Sequence, residues 1–516
     1  MARVMLAQPW NFHDEGVVHD DLVNEWRNAP YSIVLLGTML REQGHQVRVV
    51  DLIERLITNR GNLRRTLDRL GDEIWDFRPD IFGVGFFSIH YFEVQKLVQF
   101  ARDMCRRAGL RTRFIAGGIH ASTEPLRTLK DLDFDYVFVG EAEISLSKFC
   151  GGVDPKHIKG VIGHEALPPA GQTFAGGAII PLETRAAGPA RLGTLTFDHK
   201  AETLEDLDSL PYPDYGLVNY RFYAQPNRAK FRRFEAKSLD IIMGRGCVYR
   251  CAFCAYNALS SVRFHSAAYL AGEVEYLKKN FGIDSFYFMD STIGNNQPLL
   301  YQICDQFERR GLHREIRWNG CMRPNQINRR LLARLLEAGC WHLFYGFESG
   351  SDRMLKLMAK DTKQSDNEKA ATLHRDMEAP YTASMLMGYP GEREEDILLS
   401  IDFIKRHKPP VCGFNWYIPL PGSPDYDRLK AQGLIDRDDP WEWRKIGEIA
   451  SQARLFCDVP RDRFMELYNY AQTYCNKLTH DYGVWGCIAP IGSDIGLTDD
   501  VAPPPQEIAM ASHQIL

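Results

Sequence analysis

The sequence predicts an α/β protein. An N-terminal doubly wound, Rossmann-like domain leads into a partial (β/α)6 barrel and a mainly helical C-terminal segment. Three observations predict it. Short apolar strands alternate with amphipathic helices through the first 150 residues. The alternation stops in a Gly-, Ala- and Pro-rich stretch and resumes at Ser238 for six more units. Glycines follow several of the strands, as expected for turns at the carboxyl ends of a parallel sheet, where ligands bind.

In chain order, Arg3–Gln8 is a short apolar strand and Ser32–Gln43 an amphipathic helix ended by Gly44. Gln46–Asp51 is the second strand. Leu63, Leu67, Leu70, Ile74 and Phe77 recur at helical spacing, so 63–77 is a helix. Residues 79–85 form a buried strand ending in glycine, and a helix follows around 92–108. Arg113–Ala116 is a strand followed by Gly117-Gly118-Ile119-His120; Tyr136–Val139 is another, followed by Gly140-Glu141-Ala142-Glu143. Residues 165–200 read as a loop or small hairpin, then a linker runs through Leu207–Tyr215. Barrel strands are expected at 240–243, 285–290, 316–319, 342–347, 384–388 and 413–418. Phe464, Leu467, Tyr468, Tyr474 and Leu478 mark a helix over 461–480. The domain boundaries are 1–190, a linker 191–236, the barrel 237–430, a helical domain 431–498 and a disordered tail 499–516.

At about 100–200 residues per domain, 516 residues allow three domains. Hydrophobic residues at 45% and charged residues at 25% are ordinary globular usage, which excludes a disordered, collagenous or coiled-coil chain. The net charge of −5 gives no reason to expect a nucleic-acid or membrane partner. No apolar window is long enough for a transmembrane helix, and the N-terminus lacks a signal-peptide layout. Twelve cysteines are too sparse for a disulfide scaffold, which points to a reduced cytoplasm.

Three of those cysteines stand together. Gly244-Arg245-Gly246-Cys247-Val248-Tyr249-Arg250-Cys251-Ala252-Phe253-Cys254 has the spacing C-x3-C-x2-C and follows the first barrel strand. Thiolates are soft ligands for iron–sulfur clusters or zinc. Zinc usually takes a fourth Cys or His nearby, and none follows closely. Three thiolates on one loop can hold three corners of a four-iron cluster and leave one iron open. Cys105, Cys304, Cys340 and Cys475 lie in helical patterns and read as ordinary buried residues.

On this loop and on Tyr256 the chain resembles the radical S-adenosylmethionine (SAM) superfamily over about residues 238–430. The resemblance implies a [4Fe–4S] cluster on Cys247, Cys251 and Cys254, with SAM as co-substrate. Further matches are Phe288-Met289-Asp290-Ser291, Cys321-Met322-Arg323-Pro324, Gly346-Phe347-Glu348-Ser349-Gly350 and Met387-Gly388-Tyr389-Pro390-Gly391-Glu392. These imply SAM contacts from Tyr256, Asp290, Ser291, Arg323 and Glu348. Arg323 would pair with the SAM carboxylate and Glu348 would accept from ribose hydroxyls, unless both are structural ion-pair partners.

The N-terminal domain resembles the cobalamin-binding domain of class B radical SAM enzymes. The positions that carry this are Ser32, Thr38, Gly83, Gly85, Gly117, Gly118, His120, Gly140 and Glu141. Asn11-Phe12-His13-Asp14-Glu15-Gly16 is one residue off the cobalt-ligating D-x-H-x-x-G pattern. His13 is therefore a cobalt ligand or a polar loop residue. Arg69 would fill the lower face of the corrin, or belongs to a solvated helix face.

A cobalamin domain joined to a SAM barrel implies methyl transfer through methylcobalamin. In length and domain order the chain is similar to members that methylate C2 of L-tryptophan in thiopeptide antibiotic biosynthesis. Indole C2 is electron-rich, so polar transfer suffices there and SAM need not be cleaved reductively. Glu273, at a helix start 19 residues after Cys254, is either a ligand closing the fourth iron or a first-turn carboxylate favoured by the helix dipole. Candidates for the tryptophan pocket are Trp318, Tyr345, Asn415, Trp416 and Tyr417. An external one-electron reductant is the expected partner for reactivation. Rival readings keep both cofactors with an sp3-carbon or phosphorus acceptor, or make the chain a non-catalytic cobalamin sensor. A tRNA methylthiotransferase would need a second cluster, yet the N-terminal region has only Cys105 and Cys150.

Overall fold

The computed structural model describes residues 1–10, 28–167, 190–192, 195–197, 201–226, 234–256, 261–435 and 454–483. His13 and the tail from 484, including the expected 499–516 segment, lie outside the described residues.

The N-terminal sheet has six strands: β1 (Arg3–Gln8), β2 (Gln46–Asp51), β3 (Ile81–Gly85), β4 (Arg113–Gly117), β5 (Tyr136–Phe138) and β6 (Val161–Gly163). Their order is β2-β1-β3-β4-β5-β6. The first five strands are parallel, and β6 pairs antiparallel with β5. Val4–Ala7 and Ile81–Val84 are wholly buried, because helices cover both faces of a parallel sheet. Helix α1 (Tyr31–Glu42) follows the first strand, and Tyr91–Arg107 follows the third. Sequence periodicity missed the short helix Leu52–Thr58 and β6; both are too short to show a repeat.

The barrel sheet consists of β7 (Ser238–Ile241), β8 (Ser285–Phe288), β9 (Arg317–Met322), β10 (Cys340–Glu348), β11 (Tyr381–Met387) and β12 (Val411–Trp416). They are parallel and lie side by side in chain order, as a partial (β/α)6 barrel requires. Helix α2 (Ala267–Phe281) follows β7, and helix α3 (Arg461–Asp481) covers β12 through Phe464 and Tyr468 against Trp416.

The linker ties the halves together. Tyr215 is fully buried, and its hydroxyl donates to the Asp240 carbonyl of β7 (3.0 Å). The backbone N–H of Asp214 donates to Thr38 Oγ1 of α1 (2.9 Å), and Tyr223 donates to the buried Asp51 at the end of β2. One hydrophobic core runs continuously from α1 through the linker into the barrel. Among the described residues no helix is long and apolar enough to cross a membrane.

Candidate active site

The cysteine loop is fixed at its base before any cofactor is considered. Asp290, just past β8, accepts the N–H groups of Met243 (2.7 Å) and Gly244 (2.8 Å). Gly244-Arg245 then pairs antiparallel with Arg263-Phe264, closing the loop into a two-stranded ribbon. A Cβ on Gly244 would stand 2.6 Å from the Arg263 carbonyl oxygen, so only glycine fits there. Burial pushes the Asp290 carboxyl up to about 7, against the pull of those N–H donors. Both its oxygens serve the base of the loop.

Within the loop Cys251 is buried, Cys247 and Cys254 are partly exposed, and none is in a disulfide. Burial pushes the Cys254 thiol up to about 11, with Cys251 and Cys247 adding to the effect. Arg323 is buried; its Nη1 donates to Cys251 Sγ (3.3 Å), and its guanidinium lies 3.6 Å from the Tyr249 ring centre. Its Nε and Nη2 are buried without a partner. Two orphaned cationic donors call for an anionic acceptor, and a carboxylate answers both. Three unbridged thiols with a guanidinium against one of them suit a thiolate-bound cluster.

Glu348 ends β10 in the left-handed region (φ 62°), a strained place for a non-glycine residue, and pairs with Lys360 (2.7 Å). Lys360 in turn lies 5.7 Å from the centre of the Phe253 ring. Sequence reasoning missed Lys360, which the structure holds between Ala359 and Asp361, both at positive φ. Ser291 is exposed beyond Asp290. Tyr256 stands near Asp290, Arg245 and Cys247, and burial pushes its phenol up to about 12.

In the N-terminal domain the glycine turns fall at the strand ends. Gly118 has φ +91°, and a Cβ there would meet Phe86 N and O at 2.7 and 2.8 Å. Gly117 has nothing within 4 Å of its Cβ direction, and Gly85 only Ile33. Phe87, just past β3, is 54% exposed, and Ile89 is exposed beside it. Open backbone flanked by outward apolar side chains fits a broad, flat macrocycle.

Other expectations for this domain are corrected. His120 is fully buried, with Nδ1 2.8 Å from Ser88 Oγ, and burial lowers its pKa to about 3; it is part of the packing beneath the turn. Gly83 faces Leu6 and Ile115 within the sheet core. Thr38 is committed to Val34 O and to the linker, whereas Ser32 is exposed on the first turn of α1. Arg69 is mid-helix and 64% exposed, near Glu73 on a solvated face. Glu141 binds barrel arginines, as described below.

Glu273 lies in the second turn of α2 rather than at its start, so the helix dipole of the first turn does not account for it. It is fully buried on α2, and both carboxylate oxygens lack a partner. The charged neighbour that acts on it is Asp290, and it acts in turn on Tyr31, Tyr212, Tyr215 and Tyr269. Of the substrate-pocket candidates, Trp318 donates to the Ala338 carbonyl (2.9 Å) and packs on Phe286 and Phe307. Tyr345 meets His374 (2.9 Å), Trp416 meets α3, and Tyr417 packs on Tyr389. Those four are core. Alternation puts Tyr287, Cys321, His342, Thr382, Ser384 and Asn415 on the inner face. That face is polar, with Tyr287–Cys321 at 2.9 Å, His342–Thr382 at 2.7 Å and Asn415–Ser384 at 2.8 Å. Only Asn415 of the five candidates lies there.

The strand carboxyl ends of the two sheets meet. A Cβ on Gly422, beyond β12, would stand 2.5 Å from Thr123, beyond β4, and 3.8 Å from Ala255 of the cysteine loop. Two profiles of known families match this layout: the Radical SAM superfamily over residues 241–404 and the B12 binding domain over residues 27–149. The chain is thus a cobalamin-binding domain joined to a radical SAM barrel, and its cofactors are a [4Fe–4S] cluster, SAM and cobalamin.

Particular relatives are distant. An uncharacterised methyltransferase of Pyrococcus horikoshii is 22% identical over 432 residues, 83% of each chain. The cytidylyl-2-hydroxyethylphosphonate methyltransferase of Streptomyces wedmorensis is 22% identical, covering 84% of this chain and 87% of its own. The fold is similar to that of the radical SAM methyltransferase TsrM from Kitasatospora setae. With cobalamin and a [4Fe–4S] cluster bound, that structure has a TM-score of 0.65 at 18% identity, covering 97% and 93% of the two chains. With tryptophan substrate and a SAM analogue bound, the TM-score is 0.63 at 18% identity, covering 92% and 88%.

Proposed function

We propose that the chain is a cobalamin- and SAM-dependent methyltransferase acting on a small molecule, with L-tryptophan, at indole C2, the first acceptor to test. One observation carries the reading: the open, apolar-flanked turns of the N-terminal sheet and the cysteine loop of the barrel lie at the same domain junction. When bound, SAM supplies the methyl group, cobalamin relays it and the cluster supplies or accepts an electron.

The protein's own part is positioning. Cys247, Cys251 and Cys254 hold the cluster. Arg323 fixes the SAM carboxylate through Nε and Nη2 while its Nη1 stays on Cys251, so one guanidinium orients both groups. Lys360, held by Glu348, keeps a cation at the barrel mouth. Gly85 and Gly117 let backbone approach the corrin, Gly118 lets their turn pack on Phe86, and Phe87 and Ile89 exclude water beside it. The polar inner face suits the zwitterion of an amino acid better than a purely apolar acceptor. The distant likeness to TsrM supports tryptophan through the fold alone. An external one-electron donor would restore cobalamin after adventitious oxidation.

The test is an anaerobic assay of reconstituted protein with cobalamin, SAM and L-tryptophan, read by mass spectrometry. Methyltryptophan with S-adenosylhomocysteine and little 5′-deoxyadenosine is the expected result. Deoxyadenosine without methyltryptophan would discard tryptophan and move the search to sp3-carbon or phosphorus acceptors. Protein that takes up neither iron nor cobalamin would overturn the whole reading.

A further inference from the structure

The ribbon that closes the cysteine loop is gripped by the other domain. Arg245 and Arg263 face each other across that ribbon, and Arg245 stands two residues before Cys247. Arg245 Nη1 donates to Glu141 (2.7 Å) and its Nη2 to Glu143 (2.5 Å). Arg263 donates to the other oxygen of Glu141 and to the Leu204 carbonyl of the linker. Both carboxylates belong to the turn Gly140-Glu141-Ala142-Glu143 after β5, where Gly140 takes φ +82°. The four side chains are only 8–15% exposed.

Two cations and two anions here balance, and each Arg245 nitrogen that binds has its own acceptor. A planar guanidinium held on both prongs fixes direction as well as distance, which an ammonium does not. A buried ion network adds little net stability over apolar packing, but loss of one member leaves its partners buried and uncompensated. Next along the chain from Arg245 is Gly246 (φ +75°), then Cys247, so the direction of Arg245 is carried directly into the first thiol.

We propose that Glu141 and Glu143 are positioning residues for the cysteine loop. The cobalamin-side turn of the N-terminal domain sets the geometry of the loop through Arg245 and Arg263, so the domains are not independent cofactor carriers. This rests on the assignment of the loop to a cluster made above.

The test uses the full chain without oxygen, comparing wild type, Glu141→Gln, Glu143→Gln and the double variant. Two readouts avoid methyl transfer: hydrogen–deuterium exchange over residues 244–256, and the rate at which a chelator strips iron from the reconstituted protein. The double variant should exchange and lose iron at least about tenfold faster, while β9–β12 exchange as in wild type. Pairing Arg245→Glu with Glu143→Arg should recover part of the protection. Exchange and iron loss in the double variant within about twofold of wild type would overturn the proposal. If the double variant does not fold, Arg263→Lys supplies the same comparison, since it keeps the charge and loses the fork. Should wild type take up no cluster, the proposed function fails, while exchange on the metal-free chain still decides the positioning role.

Discussion

Replacing Glu273 should stabilise the protein, and by an amount that depends on pH. Its carboxyl is fully buried on α2 with neither oxygen hydrogen-bonded, and burial, with Asp290 nearby, pushes its pKa up to about 8 from an ordinary 4.5. The folded state therefore binds a proton more tightly than the unfolded chain does. Between pH 4.5 and 8 the native form holds more protons, so its stability falls as pH rises through that window. Integrating the shift gives a cost of about 3 kcal/mol at pH 7 and about 1 kcal/mol at pH 5. Glu273→Met removes the titrating group and keeps the volume among Leu270, Val274 and Leu277, so the gain should follow those figures. The assay is anaerobic denaturant unfolding of reconstituted protein at pH 5, 6, 7 and 8, with iron counted in each sample. A gain that grows with pH at unchanged iron content is expected. A variant that is less stable at pH 7 would refute the reasoning, and one that loses iron would assign Glu273 to the cluster as its fourth ligand.

Asp290→Ala leaves the N–H groups of Met243 and Gly244 buried and unpaired. It should cost about 3 kcal/mol and lower iron retention, checked by thermal unfolding and iron analysis. Arg323→Lys keeps a charge but loses the forked donors, so SAM affinity measured by equilibrium dialysis should fall at least about tenfold. Gly118→Ala forces a methyl group onto the Phe86 backbone at 2.7 Å in a left-handed turn. It should destabilise the N-terminal domain by roughly 2 kcal/mol or more and weaken cobalamin binding, seen by absorbance titration.

Much of the fold was legible because parallel strands buried on both faces write themselves as apolar runs: 3–8 and 46–51 read from sequence are the strands observed. The cysteine loop was legible because its spacing is local. Substrate contacts were not, because a strand residue's face depends on parity within a register that the sequence does not state. Trp318 and Tyr345 sit on the helix-facing parity of β9 and β10, while Cys321 and His342, two strands' worth of inconspicuous polar residues, sit on the inner one. Pattern reading that favours aromatics for an aromatic substrate therefore selects the core.

Ion pairs were hidden for a different reason. Glu141 follows a glycine at a strand end, where an acidic residue looks like a ligand contact, yet its partner Arg245 lies 104 residues away. Arg245 itself sits between two glycines at the mouth of the cysteine motif, so it looked like part of that motif. Glu141 was assigned to its own domain's cofactor and Arg245 to no role, because local sequence offers neither of them another partner. The structure pairs them with each other, and a buried carboxylate already answered by two guanidinium groups has little left to offer a corrin. Cofactor-adjacent charges in a two-domain enzyme thus have a competing use, holding the domains in register. The two uses are separated by whether a charge is already paired. Arg323, with two buried donors unanswered, remains a ligand contact by that criterion, and Glu141 does not.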